Sequence, residues 1–179
     1  MRDAAGTGGV TAPDTARWMR PEVRFDRIVR TIRSGHAGLH RAFTAEACGA
    51  AWAGYLLHDC RAWVAVRGAA SPGEHLQDDA ISVALERPIG DHGVTIACGD
   101  LARSLPTELT TVRLSGVVVA VRYLRDLLGI ARTAEVLTIS SINDRLVIRG
   151  EGDTWRAQLS SYPARAGAPM LDVGTEARP

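Results

Sequence analysis

The apolar positions change period several times between Ser115 and Tyr162, and each change marks a new element. Val117 to Val121 is a β-branched run, as expected of a buried strand. From Arg122 to Ala131 the spacing becomes helical, with Leu124, Leu127, Leu128 and Ala131 on one side. Val136 to Ile142, an Asn143-Asp144 turn, Leu146 to Ile148, a turn at Gly150-Glu151-Gly152-Asp153, and Thr154 to Ser161 then predict three strands joined by hairpins. In the last strand Trp155, Ala157 and Leu159 share one face, and Arg156, Gln158 and Ser160 share the other. That alternation predicts an antiparallel sheet with one face on a core and one in water.

Upstream the pattern is less regular. Residues up to Asp14 mix Gly, Ala, Thr and Pro and bury too little apolar surface to offset the entropy of ordering, so residues 1–20 are expected to be a disordered leader. Pro21 and Glu22 open a helix whose apolar residues Val23, Phe25, Ile28, Val29 and Ile32 recur at threes and fours, and Ser34-Gly35 ends it. The Ala-rich stretch from Leu39 to Leu57 predicts a second helix, or a helix and a strand, giving a helical N-terminal region over residues 21–60. Arg61 to Arg67 is strand-like, Ser71-Pro72-Gly73-Glu74 marks a turn, and Ile81 to Leu85 and Gly93 to Ala97 predict further strands. Asp100 to Leu105 is a short helix that Pro106 must stop, and Thr110 to Leu114 is a strand. Gly93 to Leu114 thus gives strand, helix, strand, an order that Val117 to Ser161 repeats with two added strands. From Pro163 the period is lost, so residues 164–179 are expected to be a flexible tail. The fold class is α+β: an antiparallel sheet with short helices on one face over residues 61–163, preceded by the helical region.

At 179 residues and 46% hydrophobic, the chain has room for one ordinary core. It has no apolar run near the roughly 20 residues of a membrane span, and its start lacks the apolar middle of a secretory signal, so a cytoplasmic protein is expected. Cys48, Cys60 and Cys98 form an odd set without a CxxC pair, which fits free thiols in a reducing compartment. All 21 basic residues are arginine. A net charge of +1 implies no polyanionic partner by itself, but the distribution is uneven, with Arg17, Arg20, Arg24, Arg27, Arg30, Arg33 and Arg41 crowded near the start.

Two arginine faces are candidates for chemistry. Arg122, Arg125 and Arg132 fall in one sector of their helix, opposite Leu124, Leu127 and Ala131. Arg24, Arg27, Arg30 and Arg33 repeat at intervals of three on the earlier helix. Such faces suit phosphate contact, because guanidinium groups neutralise backbone charge without reading bases; the alternative is a solvated helix face. His58, Cys60, His75, His92 and Cys98 lack the close pairs of a structural zinc site, so no metal or other cofactor is expected. Asp91, His92 and Cys98 are the candidates for a small enzyme, but no nucleophile motif, phosphate loop or carboxylate pair accompanies them, and a non-enzymatic protein is expected. Trp18, Trp52, Trp63 and Trp155 suit core or rim positions.

The run GVVVAVRYLRDLLGIARTAEVLTISSINDRLVIRGEGDTWRAQLSSYP resembles, in element order, lengths and apolar positions, one βαβββ half-domain of the bacterial DNA polymerase III beta subunit, the sliding clamp. The resemblance covers under a third of the chain, and clamp rings use chains with three domains where this one has room for a single domain. It implies helices facing DNA and a sheet forming the outer wall, with Arg122, Arg125 and Arg132 toward the duplex. The expectation is therefore a DNA-associated protein contacting double-stranded DNA through arginines, including Arg24, Arg27 and Arg30, without base readout. Unpaired sheet edges would make it a homo-oligomer. A protein-interaction or regulatory module that binds no nucleic acid is the alternative.

Overall fold

The computed structural model describes residues 20–34, 41–57, 61–69, 76–88, 93–163, 167, 169 and 171. Two three-stranded meanders, one from each end of the described chain, make most of a single sheet. The first is β1 (Arg41–Ala47), β2 (Ala50–Leu57) and β3 (Ala62–Arg67). The second is β8 (Val136–Ile142), β9 (Arg145–Arg149) and β10 (Trp155–Ser160). They meet where β10 pairs antiparallel with β3, Ala157 opposite Val64 and Leu159 opposite Ala62. β5 (Val94–Ala97) extends the sheet antiparallel beside β8, and β4 (Leu76–Gln77) adds a short parallel edge beside β1. The order is β4-β1-β2-β3-β10-β9-β8-β5, with β6 (Thr111–Leu114) and β7 (Val117–Ala120) forming a separate hairpin.

Strand alternation gives the sheet two buried faces. Val64, Ile139, Ile148, Trp155, Ala157 and Leu159 point to a core shared with α1 (Pro21–Ser34), α3 (Cys98–Ser104), the β6–β7 hairpin and α4 (Val121–Leu128). Trp52, Trp63 and Ala65 point the other way, into a second core with Phe43 and with Ile81 and Leu85 of α2 (Asp79–Glu86). The α+β class and the antiparallel sheet are as expected, but the helices do not all lie on one face. The solvent face expected for β10 is likewise partly covered: Arg156 and Gln158 are buried.

Three further readings are corrected. Residues 41–57 are a hairpin, not a helix. Their alanines fit either state, but Phe43, Ala45 and Ala47 alternate into the second core, and Cys48 and Gly49, both at positive φ, supply the tight turn. Residues 81–85 are helical instead of extended. The Asp78 carboxylate accepts from the Ile81 amide at 3.1 Å as an N-cap, and Ile81 and Leu85 lie one turn apart on the buried side. Within the tail, the Arg113 amide donates to Pro169 and the Leu171 amide to Arg113, both at 3.0 Å, so Pro169 and Leu171 pair with β6. The predicted order of strand, helix, strand, strand, strand appears in residues 117–160, yet β7 pairs with β6 and not with the sheet of β8 to β10. The leader at 1–19 and the turn at 71–74 lie outside the described residues. No helix among the described residues is long and apolar enough to cross a membrane.

Candidate nucleic-acid interface

Helix α4 carries the first arginine face. Val121, Leu124, Leu127 and Leu128 are buried, which turns Arg122 and Arg125 outward one turn apart. The Val121 amide donates to Thr110 O at 3.0 Å, and Ala120 gives the helix no side-chain cap. A cleft of about 560 Å³ opens at this N-terminal end, between α4 and the segment leading into β6. Arg122, Arg125, Asp126, Thr107, Thr110 and Tyr162 are among the residues lining it. The Arg122 guanidinium lies over the Tyr123 ring, 4.6 Å from its centroid, and donates to the Tyr123 hydroxyl at 2.6 Å. The Tyr123 hydrogen bond raises the Arg122 pKa further above its ordinary value, with smaller contributions from Tyr162 and Asp126. Arg122 is thus cationic at any accessible pH. Arg125 donates from Nη2 to Leu105 O at 3.3 Å and to Pro106 O at 3.0 Å, the carbonyls just past the last residue of α3.

The other predicted arginines lie elsewhere. Arg24 is 1% exposed and pairs with Glu135 at 2.7 Å, which removes it from any basic surface. Helical spacing at threes placed it in a stripe, but the α1 stripe drifts around the axis and at Arg24 it faces the core. Trp155 Nε1 donates to the other Glu135 oxygen at 2.7 Å, and the Arg132 amide donates to Glu135 Oε2 at 3.1 Å. Arg24 Nη1 also donates to Ile130 O at 3.3 Å and Arg27 Nε to Gly129 O at 3.0 Å, so both sit at the C-terminal end of α4. The cleft takes in the outward face of α4 as far as Arg125 and Asp126, whereas Arg24 and Arg27 reach carbonyls beyond Leu128, at the C-terminal end of the helix. Arg132 lies just past the same end, half-buried, and Arg30 is exposed on α1. Of the six arginines expected to form the interface, Arg122 and Arg125 converge.

Asp91, His92, His58, Cys60 and His75 lie outside the described residues. Cys98 is buried at the start of α3, its thiol donating to Leu128 O at 3.5 Å. Burial first and the Glu135 carboxylate second push the thiol up to about 11, so it stays protonated and is a poor nucleophile at neutral pH. Among the described residues no group of three His, Cys, Asp or Glu side chains is placed to hold a metal.

Sequence reasoning missed the threonines and Tyr162. Thr107 lies in a segment with no period, Thr110 reads only as the first residue of a strand, and Tyr162 follows the last strand, where alternation has stopped; only the approach of β6 to α4 brings them together. It also missed Arg156, whose Nη1 donates to Leu85 O at the end of α2 while Nε and Nη2 grip both oxygens of Asp153 at 2.7 and 2.8 Å. No family model, curated protein or solved structure matches the chain.

Proposed function

We propose that the protein is a non-enzymatic, DNA-associated module that holds backbone phosphate in the cleft at the N-terminal end of α4. The observation that carries this reading is the convergence there of Arg122 and Arg125 with Thr107 and Thr110 beside a helix start that has no side-chain cap. The resemblance of residues 116–163 to a clamp half-domain points the same way. Guanidinium and hydroxyl donors recognise phosphate without reading bases, so contact is sequence-independent. Asp126 offsets part of the charge, and the contact is local. With one or two phosphates neutralised, the slope of log affinity against log salt is about −1 to −2. Fluorescence anisotropy with mixed-sequence DNA, single-stranded and duplex, at low and moderate salt tests this. Salt-sensitive binding that Arg122→Ser weakens by roughly fivefold to tenfold supports it. No binding of either form at low salt overturns it.

A second reading rests on the far edge of the sheet. β5 is a four-residue strand, Val94-Thr95-Ile96-Ala97, without a charged guard, and β8 runs past it by Ser140, Ser141 and Ile142. Among the described residues β5 is the edge strand and carries no charge, which suits pairing with the same strand of a second copy, giving a homodimer. Light scattering at high micromolar concentration decides: a dimer mass that Thr95→Pro reduces to a monomer supports it, and a monomer mass for the unaltered chain ends it.

A further inference from the structure

We infer that the cleft takes an unpaired nucleotide, the base laid against Tyr162 while the phosphate meets Arg122 and Arg125. This rests on the reading of the cleft as a DNA-phosphate site and adds which form of DNA it prefers. Tyr162 is 37% exposed in the cleft wall, a large aromatic surface left in water beside two guanidinium groups. It is held in place by its backbone, the Tyr162 amide donating to Val118 O at 2.8 Å, and by the Arg61 guanidinium 5.7 Å from the ring centroid. Arg122, Arg125 and Tyr162 line the same cleft, so the aromatic and cationic groups belong to one site. Leu109, 42% exposed, adds an apolar wall.

The shape of the site separates the two forms of DNA. A duplex keeps its bases stacked inside and offers a protein its convex phosphate ridges, against which Tyr162 and Leu109 would find no π-face. A single strand exposes bases, and proteins that bind it combine a cationic track with aromatic platforms. The cleft, at about 560 Å³, falls within the 300–1,000 Å³ typical of small-ligand sites and is large enough to admit a base with its sugar and phosphate.

The test is anisotropy of the full chain with a labelled short oligothymidylate and with a mixed-sequence duplex, at equal salt. The expected result is about tenfold tighter binding of the single strand. Tyr162→Ala should bring the single strand down to the duplex value, while Tyr162→Phe, which keeps the ring, should bind as the unaltered protein does. Tyr162→Leu keeps bulk without a π-system and should behave as the alanine variant; circular dichroism checks that each variant is folded. Equal or tighter duplex binding, or an oligothymidylate affinity unmoved in Tyr162→Ala and Tyr162→Leu, overturns the inference and leaves the phosphate reading standing. Failure of both DNAs to bind removes both.

Discussion

Lysine-free chemistry leaves arginine to do the structural as well as the surface work, and four residues show how. Arg24, Arg27, Arg125 and Arg156 each donate to carbonyls at or just past the end of a helix, where unpaired C=O groups and the negative end of the dipole favour a cation. Arg24 goes furthest, because its partner Glu135 is buried too and the pair must be satisfied inside the core. Glu135→Ala removes the carboxylate that neutralises the buried Arg24 and accepts from the Trp155 indole N–H, and should lower stability by about 3–5 kcal/mol, read as a shift in the urea midpoint. Replacing both charges, Arg24→Met with Glu135→Leu, should recover most of that loss. Gly150 has a different constraint: any side chain there would run into the Trp155 indole, so Gly150→Ala should destabilise by about 1–3 kcal/mol in the same measurement. Cys98 sets a pH dependence. Its folded pKa of about 11 lies above the ordinary 9.0, so the unfolded chain gives up the proton first. Stability from this group is complete below pH 9.0 and falls as pH rises toward about 11. Urea midpoints across that window should fall less steeply in Cys98→Ala.

At the scale of elements, local sequence and tertiary surroundings divide the decisions unevenly. α2 depends on its own cap: Asp78→Ala should cost about 1 kcal/mol, and because Ile81 and Leu85 seat the helix in the second core, Trp52 and Trp63 fluorescence should report the loosening. α3 depends on a neighbour, since Arg125 donates to the Leu105 carbonyl at its cap and to the Pro106 carbonyl just beyond. Arg125→Ser should therefore weaken both α3 and any phosphate contact, whereas Arg122→Ser should affect binding alone; thermal melts of the two variants separate the effects. The expected helix at Asp100 and its stop at Pro106 appear as α3, Cys98–Ser104, because the proline rule is local. The hairpin of β1 and β2 was hidden because alanine suits a helix in isolation, while pairing with β3 and burial against α2 decide for strands.

For the whole molecule the junction of β3 with β10 matters most, because it ties the first meander to the last and makes one sheet from the two ends. α1 closes that sheet from one side through Phe25, Ile28 and the Arg24–Glu135 pair. Hydrogen exchange should show β3 and β10 protected to the level of global unfolding, with the amides of α1 exchanging faster through local undocking. The sequence alone determined what repeats at short range: the strand, helix and hairpins of residues 117–160, their apolar sides, and the outward turn of Arg122 and Arg125. Only the tertiary structure decided that a helix covers the second face of the sheet, that Arg24 is an internal ion-pair member, and that Tyr162 and the threonines meet Arg122 in one cleft. Periodicity records which side of an element is apolar. Which element covers that side, and which polar groups are left facing one another, depends on contacts between separate elements, out to the Arg24–Glu135 pair, that no local pattern encodes.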